Sequence, residues 1–290
     1  GVLRRLEMKV LVTGAHGQLG QEVLHELEKR RHTCIGVDVK EMDIVNYEKV
    51  EYIIKESDVE AVIHCAAYTA IDEAEKQENL CNKVNIEGTK NVAQVCGMQD
   101  IKMLYISTDC VFNGLGNQAW SPGDVIEPLN VFGQSKYKGE LEVIQYVKSF
   151  YIVRTSWLYG VNGENYVTSM LDQGSKNGKI YVSEKQVGTP TYTYDLARLL
   201  VDLIETEKYG VYHASNEGSC SKFEFACELF KICGMDVKVI LVSEECYDLR
   251  GIYPINSKLD HKKIEENGFR SLPNWKNALE RYVKRIGSIR

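Results

Sequence analysis

The chain has 290 residues, with 35 Lys and Arg against 41 Asp and Glu, a net charge of −6. That length can bury a sizeable core without metals or disulfides, and an acidic balance is ill suited to coating nucleic-acid phosphates. Hydrophobic residues make up 44% and charged residues 26%, ordinary for a soluble globular fold, and no apolar run reaches the roughly 18 residues of a membrane span. Residues 1–7 are short and charged, unlike a secretory leader, and read as a loose extension before Met8.

From Met8 onward, strand and helix patterns alternate. Strands are predicted over 9–13, 33–37, 61–66, 102–107 and 151–155, and helices over 17–30, 47–55, 79–97 and 131–148. This rhythm argues for an α/β fold, a doubly wound parallel sheet covered by helices on both faces. After about residue 160 the rhythm loosens. Strands are predicted over 179–182, 210–213 and 237–242, and helices over 164–173, 194–206, 222–233 and 274–285. The expected division is a main domain over 8–165, completed by 190–215, and a smaller ligand-facing lobe from 166–189 and 216–290. The stretches 113–123 and 186–191 read as functional loops.

The first strand runs into Thr13-Gly14-Ala15-His16-Gly17-Gln18-Leu19-Gly20. Glycines three apart between a strand and an amphipathic helix suit a diphosphate. One allows the tight turn, one lets the backbone approach the phosphates, and one lets helix and strand pack closely. The helix start adds free N–H groups and partial positive charge. A dinucleotide is therefore expected at Gly14, Gly17, Gln18 and Leu19. Asp38 ends the second strand, where a carboxylate binds ribose hydroxyls and repels a 2′-phosphate. That favours NAD over NADP, a preference that nearby Lys40 tempers.

Small residues in Cys65-Ala66-Ala67-Tyr68-Thr69 leave room for a ligand at the third strand's end. Ser107-Thr108-Asp109 brings two hydroxyls and a carboxylate to the end of the fourth, where open α/β sheets bind ligands. Phe132 and Lys136, four apart, share a helix face. The nine cysteines are odd in number and lack CxxC spacing. They read as reduced thiols in a cytoplasmic protein, and no metal is expected. His64 and His213, inside strand runs, read as core histidines. Arg154, also inside a strand, needs a buried partner.

These pieces resemble the extended short-chain dehydrogenase/reductases, and among them the dTDP-4-dehydrorhamnose reductase family. The matching segments also include Asp43-Ile44, Asp72 and Glu75, Asn130–Glu140, Val153–Gly160, Gln186–Thr191 and Asn256–Leu259, in family order along nearly the whole chain. The resemblance implies a Rossmann-type domain and NAD(P)H-dependent reduction of the C4 ketone of dTDP-4-dehydro-L-rhamnose, a step in cell-surface polysaccharide synthesis. It also implies a nucleotide-sugar substrate and a homodimer. Asp43, Ile44, Ala66, Ala67, Tyr68 and Lys136 join the cofactor set, and Thr69, Thr108, Asp109 and Trp157 contact substrate. Gln186–Thr191 shape the pocket.

In that family a Tyr four residues before the Lys gives a proton to the carbonyl oxygen. The Lys holds the nicotinamide ribose and lowers the Tyr pKa, and a strand-end hydroxyl assists. Here Lys136 and Thr108 match, but the Tyr position is Phe132, which has no proton to give. Cys110 stands where a second Tyr is common, and Tyr253 where an Arg is usual. Three readings stay open: a reductase altered at 132, one protonating through water, Lys136 or another group, and a non-catalytic binder of dinucleotide or nucleotide sugar. Tyr137 is about 140° round the helix from Phe132 and should point away. Tyr68 could reach in from the third strand.

Overall fold

The computed structural model describes residues 7–243 and 252–289. Nearly all of the 1–7 extension, and Cys246, lie outside the described residues. The first half contains β1 (Lys9–Thr13), α1 (Gln18–Lys29), β2 (Thr33–Val37), α2 (Tyr47–Ser57), β3 (Ala61–His64), α3 (Ile71–Ala74), α4 (Glu78–Asn82), α5 (Thr89–Met98), β4 (Lys102–Thr108), α6 (Val131–Tyr146) and β5 (Phe150–Thr155). Next come β6 (Leu158–Tyr159), α7 (Tyr166–Asn177), β7 (Lys179–Ser183), β8 (Val187–Gly188), β9 (Thr191–Tyr192), α8 (Thr193–Ile204) and β10 (Gly210–His213). The chain then forms β11 (Asn216–Glu217), β12 (Cys220–Ser221), α9 (Lys222–Cys233), β13 (Lys238–Val242), β14 (Asn256–Ser257), α10 (Lys262–Glu266), β15 (Leu272–Asn274) and α11 (Trp275–Ile289).

Six strands form one parallel sheet in the order β10-β5-β4-β3-β1-β2. Strand side chains alternate between faces, and in the central strands both faces are apolar. Val10, Val12, Ile63, Leu104 and Val153 point into one core, which Leu19, Val23 and Leu27 of α1 and Leu196, Leu200 and Leu203 of α8 complete. Leu11, Val62, Met103, Tyr105 and Ile152 point into the other, against α2, α5 and α6. Sheets covered on both faces have this composition. The doubly wound fold expected from the sequence is the one observed.

A third core joins Tyr159, Leu171, Ile180, Tyr192, Phe225, Leu229, Trp275 and Tyr282, and the late strands form small separate sheets around it. Ile264, Phe269 and Leu272 pack into the first core, so the C-terminal stretch crosses back to the main domain before α11.

Two local predictions are corrected. The helix expected over 79–97 is broken by a π-helical turn at Lys83–Gly88 between α4 and α5. Such turns interrupt helices at positions with other work to do. Here Asn85 turns inward, donating to the Tyr68 carbonyl (3.0 Å) and the Ser135 hydroxyl (2.9 Å) while accepting from the Tyr68 N–H (2.8 Å). The strand expected over 61–66 ends at His64, which frees Cys65 and Ala66 to lie against the first turn.

Candidate active site

The carboxyl ends of β1, β3, β4 and β5 open on a cleft of ≈ 880 Å³. The chain leaves β1 for one side of the sheet and returns to the other with β3, and open α/β sheets bind ligands at that switch point. At its mouth Gly14 has φ 63°, and a Cβ there would lie 2.8 Å from the Ala66 nitrogen and the Cys65 carbonyl carbon. A side chain at Gly20 would collide with the Gly14 carbonyl oxygen. Gly17 is the N-cap of α1 and supplies no side-chain acceptor, so the first-turn amides are left for a ligand. The Asp38 carboxylate accepts the His16 N–H (3.0 Å) and the Val39 N–H (2.9 Å), which orients it beside this turn.

Gly14→Ala therefore meets both backbone strain and a backbone clash. Dinucleotide affinity is expected to fall by about tenfold or more, measured by titration with NADH and NADPH. Unchanged affinity would rule out this turn as the diphosphate cradle.

Deeper in the cleft, Thr108 Oγ1 accepts the Cys110 N–H (3.1 Å) and donates to Asp109 (3.4 Å). Asn130 caps α6 through the Gly133 N–H (2.6 Å), and Glu75 accepts the Val131 N–H (2.9 Å). Two loops thus aim one helix, and Lys136 on it is buried with Nζ 4.3 Å from the Tyr105 ring centroid. Burial draws this ammonium down to about 8, and the field of Glu140 opposes the shift. Burial pushes the Asp109 carboxyl up to about 6, against a Ser257 hydrogen bond that favours its charge.

Phe132 also lines the cleft, 7% exposed, packed with Cys110, Cys81 and Ala74. Tyr68 stands between two cleft residues, Ala67 and Thr69. It does not line the cleft; Asn85 pins its backbone, and its ring joins the apolar cluster around Phe132. Tyr137 packs with Val111, Phe112 and Leu259, as its helical angle requires. The remaining expected site residues do line the cleft: Gly14, Gly17, Gln18, Leu19, Asp38, Asp43, Ile44, Ala66, Ala67, Thr69, Thr108, Asp109, Lys136 and Trp157.

Arg154 finds its partner in Glu140, through Nε to Oε2 (3.0 Å) and Nη2 to Oε1 (2.8 Å). His64 bonds the hydroxyls of Thr13 (2.8 Å) and Thr89 (3.3 Å). His213 donates from Nδ1 to the Trp120 carbonyl (2.7 Å). Burial lowers both imidazoles to about 3, so both are neutral core histidines. None of the eight described cysteines is in a disulfide.

Residues packed on the third core supply a wall that the sequence only partly signalled. Trp157 holds φ 46°, a left-handed conformation unusual for a bulky residue. Its carbonyl accepts the Tyr166 hydroxyl (2.7 Å), and its ring fills the space that Gly188 leaves empty. Lys222 points at both rings, 3.9 Å from the Trp157 centroid and 4.2 Å from that of Tyr166. Tyr253 donates to Asp72 (2.7 Å) at the rim. Sequence reasoning missed Lys222, Tyr166 and Asn165. Nothing in their local pattern marks them, because only the third core brings them to the cleft.

The RmlD substrate binding domain family model matches residues 8–288. The chain is 35% identical over 280 residues to the spore coat polysaccharide biosynthesis protein SpsK of Bacillus subtilis, covering 97% of this chain and 98% of that protein. It is 32% identical to the dTDP-4-dehydrorhamnose reductase of Aggregatibacter actinomycetemcomitans, over 94% of this chain and 97% of the relative. Among solved structures, the Bacillus anthracis dTDP-4-dehydrorhamnose reductase in complex with NADP superposes with a TM-score of 0.92 at 40% identity, covering 96% and 99% of the two chains. The Clostridium acetobutylicum orthologue gives 0.94 at 36%, covering 97% and 100%. With the family model spanning nearly the whole chain and relatives at 32–40% identity covering it almost end to end, the chain belongs to the RmlD substrate-binding-domain family.

Proposed function

We propose that the chain is an NAD(P)-dependent oxidoreductase that reduces the C4 ketone of dTDP-4-dehydro-L-rhamnose to dTDP-L-rhamnose. The observation that carries this reading is a single cleft uniting a diphosphate cradle, Thr108 and Lys136 at its floor, and an aromatic wall of Trp157 and Tyr166. The relatives' names supply the substrate. The glycine cradle, which a Cβ would fill, fits a dinucleotide.

The reduced nicotinamide, when bound, supplies a hydride to the ketone carbon. The amides at the start of α1 hold the diphosphate, and Asp38, Asp43 and Ile44 enclose the adenosine end. Lys136 holds the nicotinamide ribose, and Thr108 with Thr69, Asp109 and Trp157 orients the sugar. The oxygen left after hydride arrival needs a proton that Phe132 lacks. We assign it to the Lys136 ammonium or to a water it orients, since an acid with a pKa near the working pH is suited to this transfer. Turnover then falls as pH rises through about 8, where the ammonium loses its proton. A rate unchanged well above that value contradicts the assignment. Loss of reduced-nicotinamide absorbance on adding dTDP-4-dehydro-L-rhamnose tests the whole reading.

Asp38 favours NADH over NADPH in this account. Asp38→Asn removes its repulsion of a 2′-phosphate and is expected to raise the NADPH-to-NADH ratio of kcat/KM by about tenfold or more. An unmoved ratio would place the carboxylate away from the ribose. The two-lobed division rests on the separate cores on either side of the cleft. The lack of disulfides among the described cysteines supports a cytoplasmic setting, and among the described residues no helix is long and apolar enough to cross a membrane. A homodimer rests on the exposed Leu141 and Ile144 of α6; mass by light scattering tests it.

A further inference from the structure

The charges lining the cleft are lopsided. Among the described residues its carboxylates are Asp38, Asp43, Asp72, Asp109 and Glu164, and its cations are Lys136 and Lys222. Under the function proposed above, on which this inference rests, two ligands enter, and each carries a diphosphate. The start of α1 serves the dinucleotide. Lys136 is enclosed at the floor over Tyr105, in the field of Glu140.

Lys222 is differently placed. It is the first residue of α9, and Ser221 caps that helix through the Glu224 N–H (3.0 Å). Its backbone N–H is bonded to the Gln186 carbonyl (3.0 Å), which fixes the root of the side chain. The ammonium lies between the faces of Trp157 and Tyr166, and none of the described hydrogen bonds or ion pairs uses its three N–H groups. Two aromatic faces stabilise a cation but leave its donors unmet. Burial lowers the ammonium only to about 8, opposed by the fields of Cys220 and Asp109, so it is charged at neutral pH. A fixed cation with free donors in a cleft otherwise rich in carboxylates matches a phosphate group. A sugar hydroxyl leaves the charge unanswered.

We propose that Lys222 holds the diphosphate of the nucleotide-sugar substrate, with the rings of Trp157 and Tyr166 as the cage that keeps its ammonium in place. The test titrates dTDP and thymidine into the NADPH-loaded protein, wild type, Lys222→Met and Lys222→Arg. Lys222→Met is expected to weaken dTDP binding by about tenfold or more. Thymidine and NADPH affinities should stay at their wild-type values, and Lys222→Arg should recover part of the dTDP affinity. Unmoved thymidine and NADPH binding also certifies that the variant is folded.

Equal dTDP binding by wild type and Lys222→Met overturns the assignment while leaving the proposed function intact. A loss that falls equally on thymidine, or on NADPH, overturns it by making Lys222 a scaffold residue or a cofactor ligand. Wild-type protein that binds NADPH but neither dTDP nor thymidine overturns both this assignment and the reading on which it rests.

Discussion

Phe132→Tyr is expected to raise turnover, by about 10²–10⁴-fold, the usual contribution of a positioned general acid. The two rings differ by one hydroxyl, so the wall of the cleft keeps its shape and little overpacking arises. Phe132 lies one helical turn before Lys136 on the same face of α6, and both line the cleft. A phenol at 132 would sit beside a buried ammonium, which stabilises the tyrosinate left after proton transfer. The gain should appear in kcat, with NADPH affinity unchanged, because the ring's cofactor-side surroundings are unaltered. A fall in rate at high pH should persist, because the phenol must carry the proton it gives and the ammonium beside it must stay charged. A rate that stays flat or drops would mean that Lys136 or its water already meets the demand, or that the hydroxyl turns toward the apolar cluster of Cys81 and Ala74. A chain inactive both before and after the change would favour the second reading that Phe132 and Cys110 invite, a binder without chemistry.

The second large effect is on stability. Glu140 and Arg154 are 1% and 4% exposed and bonded to each other twice, with the Ser107 hydroxyl also donating to Glu140. Glu140→Gln leaves Arg154 charged in the interior without its counter-charge, a loss expected to cost roughly 3–5 kcal/mol. The urea midpoint measures it. Replacing both together, Glu140→Leu with Arg154→Met, should be milder than either single change, because no buried charge is then left alone. The same substitution reaches the site. The field of Glu140 supports the Lys136 ammonium, so its removal should move the high-pH fall in turnover to a lower pH. A single variant as stable as wild type would show that water enters to solvate Arg154.

Which features could be read from residues alone follows from how local their physics is. The glycine turn was legible because tight backbone approach is written in glycine spacing and in the strand and helix on either side. Lys136 was singled out by the family resemblance, and i, i+4 spacing only put it on one helix face with Phe132. The hold on the Tyr68 backbone was not legible, because Asn85 reaches it only through a π-helical turn. Arg154 announced a need for a partner, but Glu140 lies on another element. Lys222 and the left-handed backbone of Trp157, a residue expected at the substrate, were not foreseen for a related reason. Both depend on where the third core docks against the sheet, and no periodicity encodes a docking angle.

The most direct test of the account supplies the wild-type chain with dTDP-4-dehydro-L-rhamnose and NADH or NADPH carrying deuterium at the transferable nicotinamide position, and weighs the nucleotide sugar that forms. The account predicts dTDP-L-rhamnose bearing deuterium at the sugar C4, slowly from the native chain and rapidly from Phe132→Tyr. Unlabelled sugar from both proteins, with dinucleotide and dTDP demonstrably bound, would contradict it.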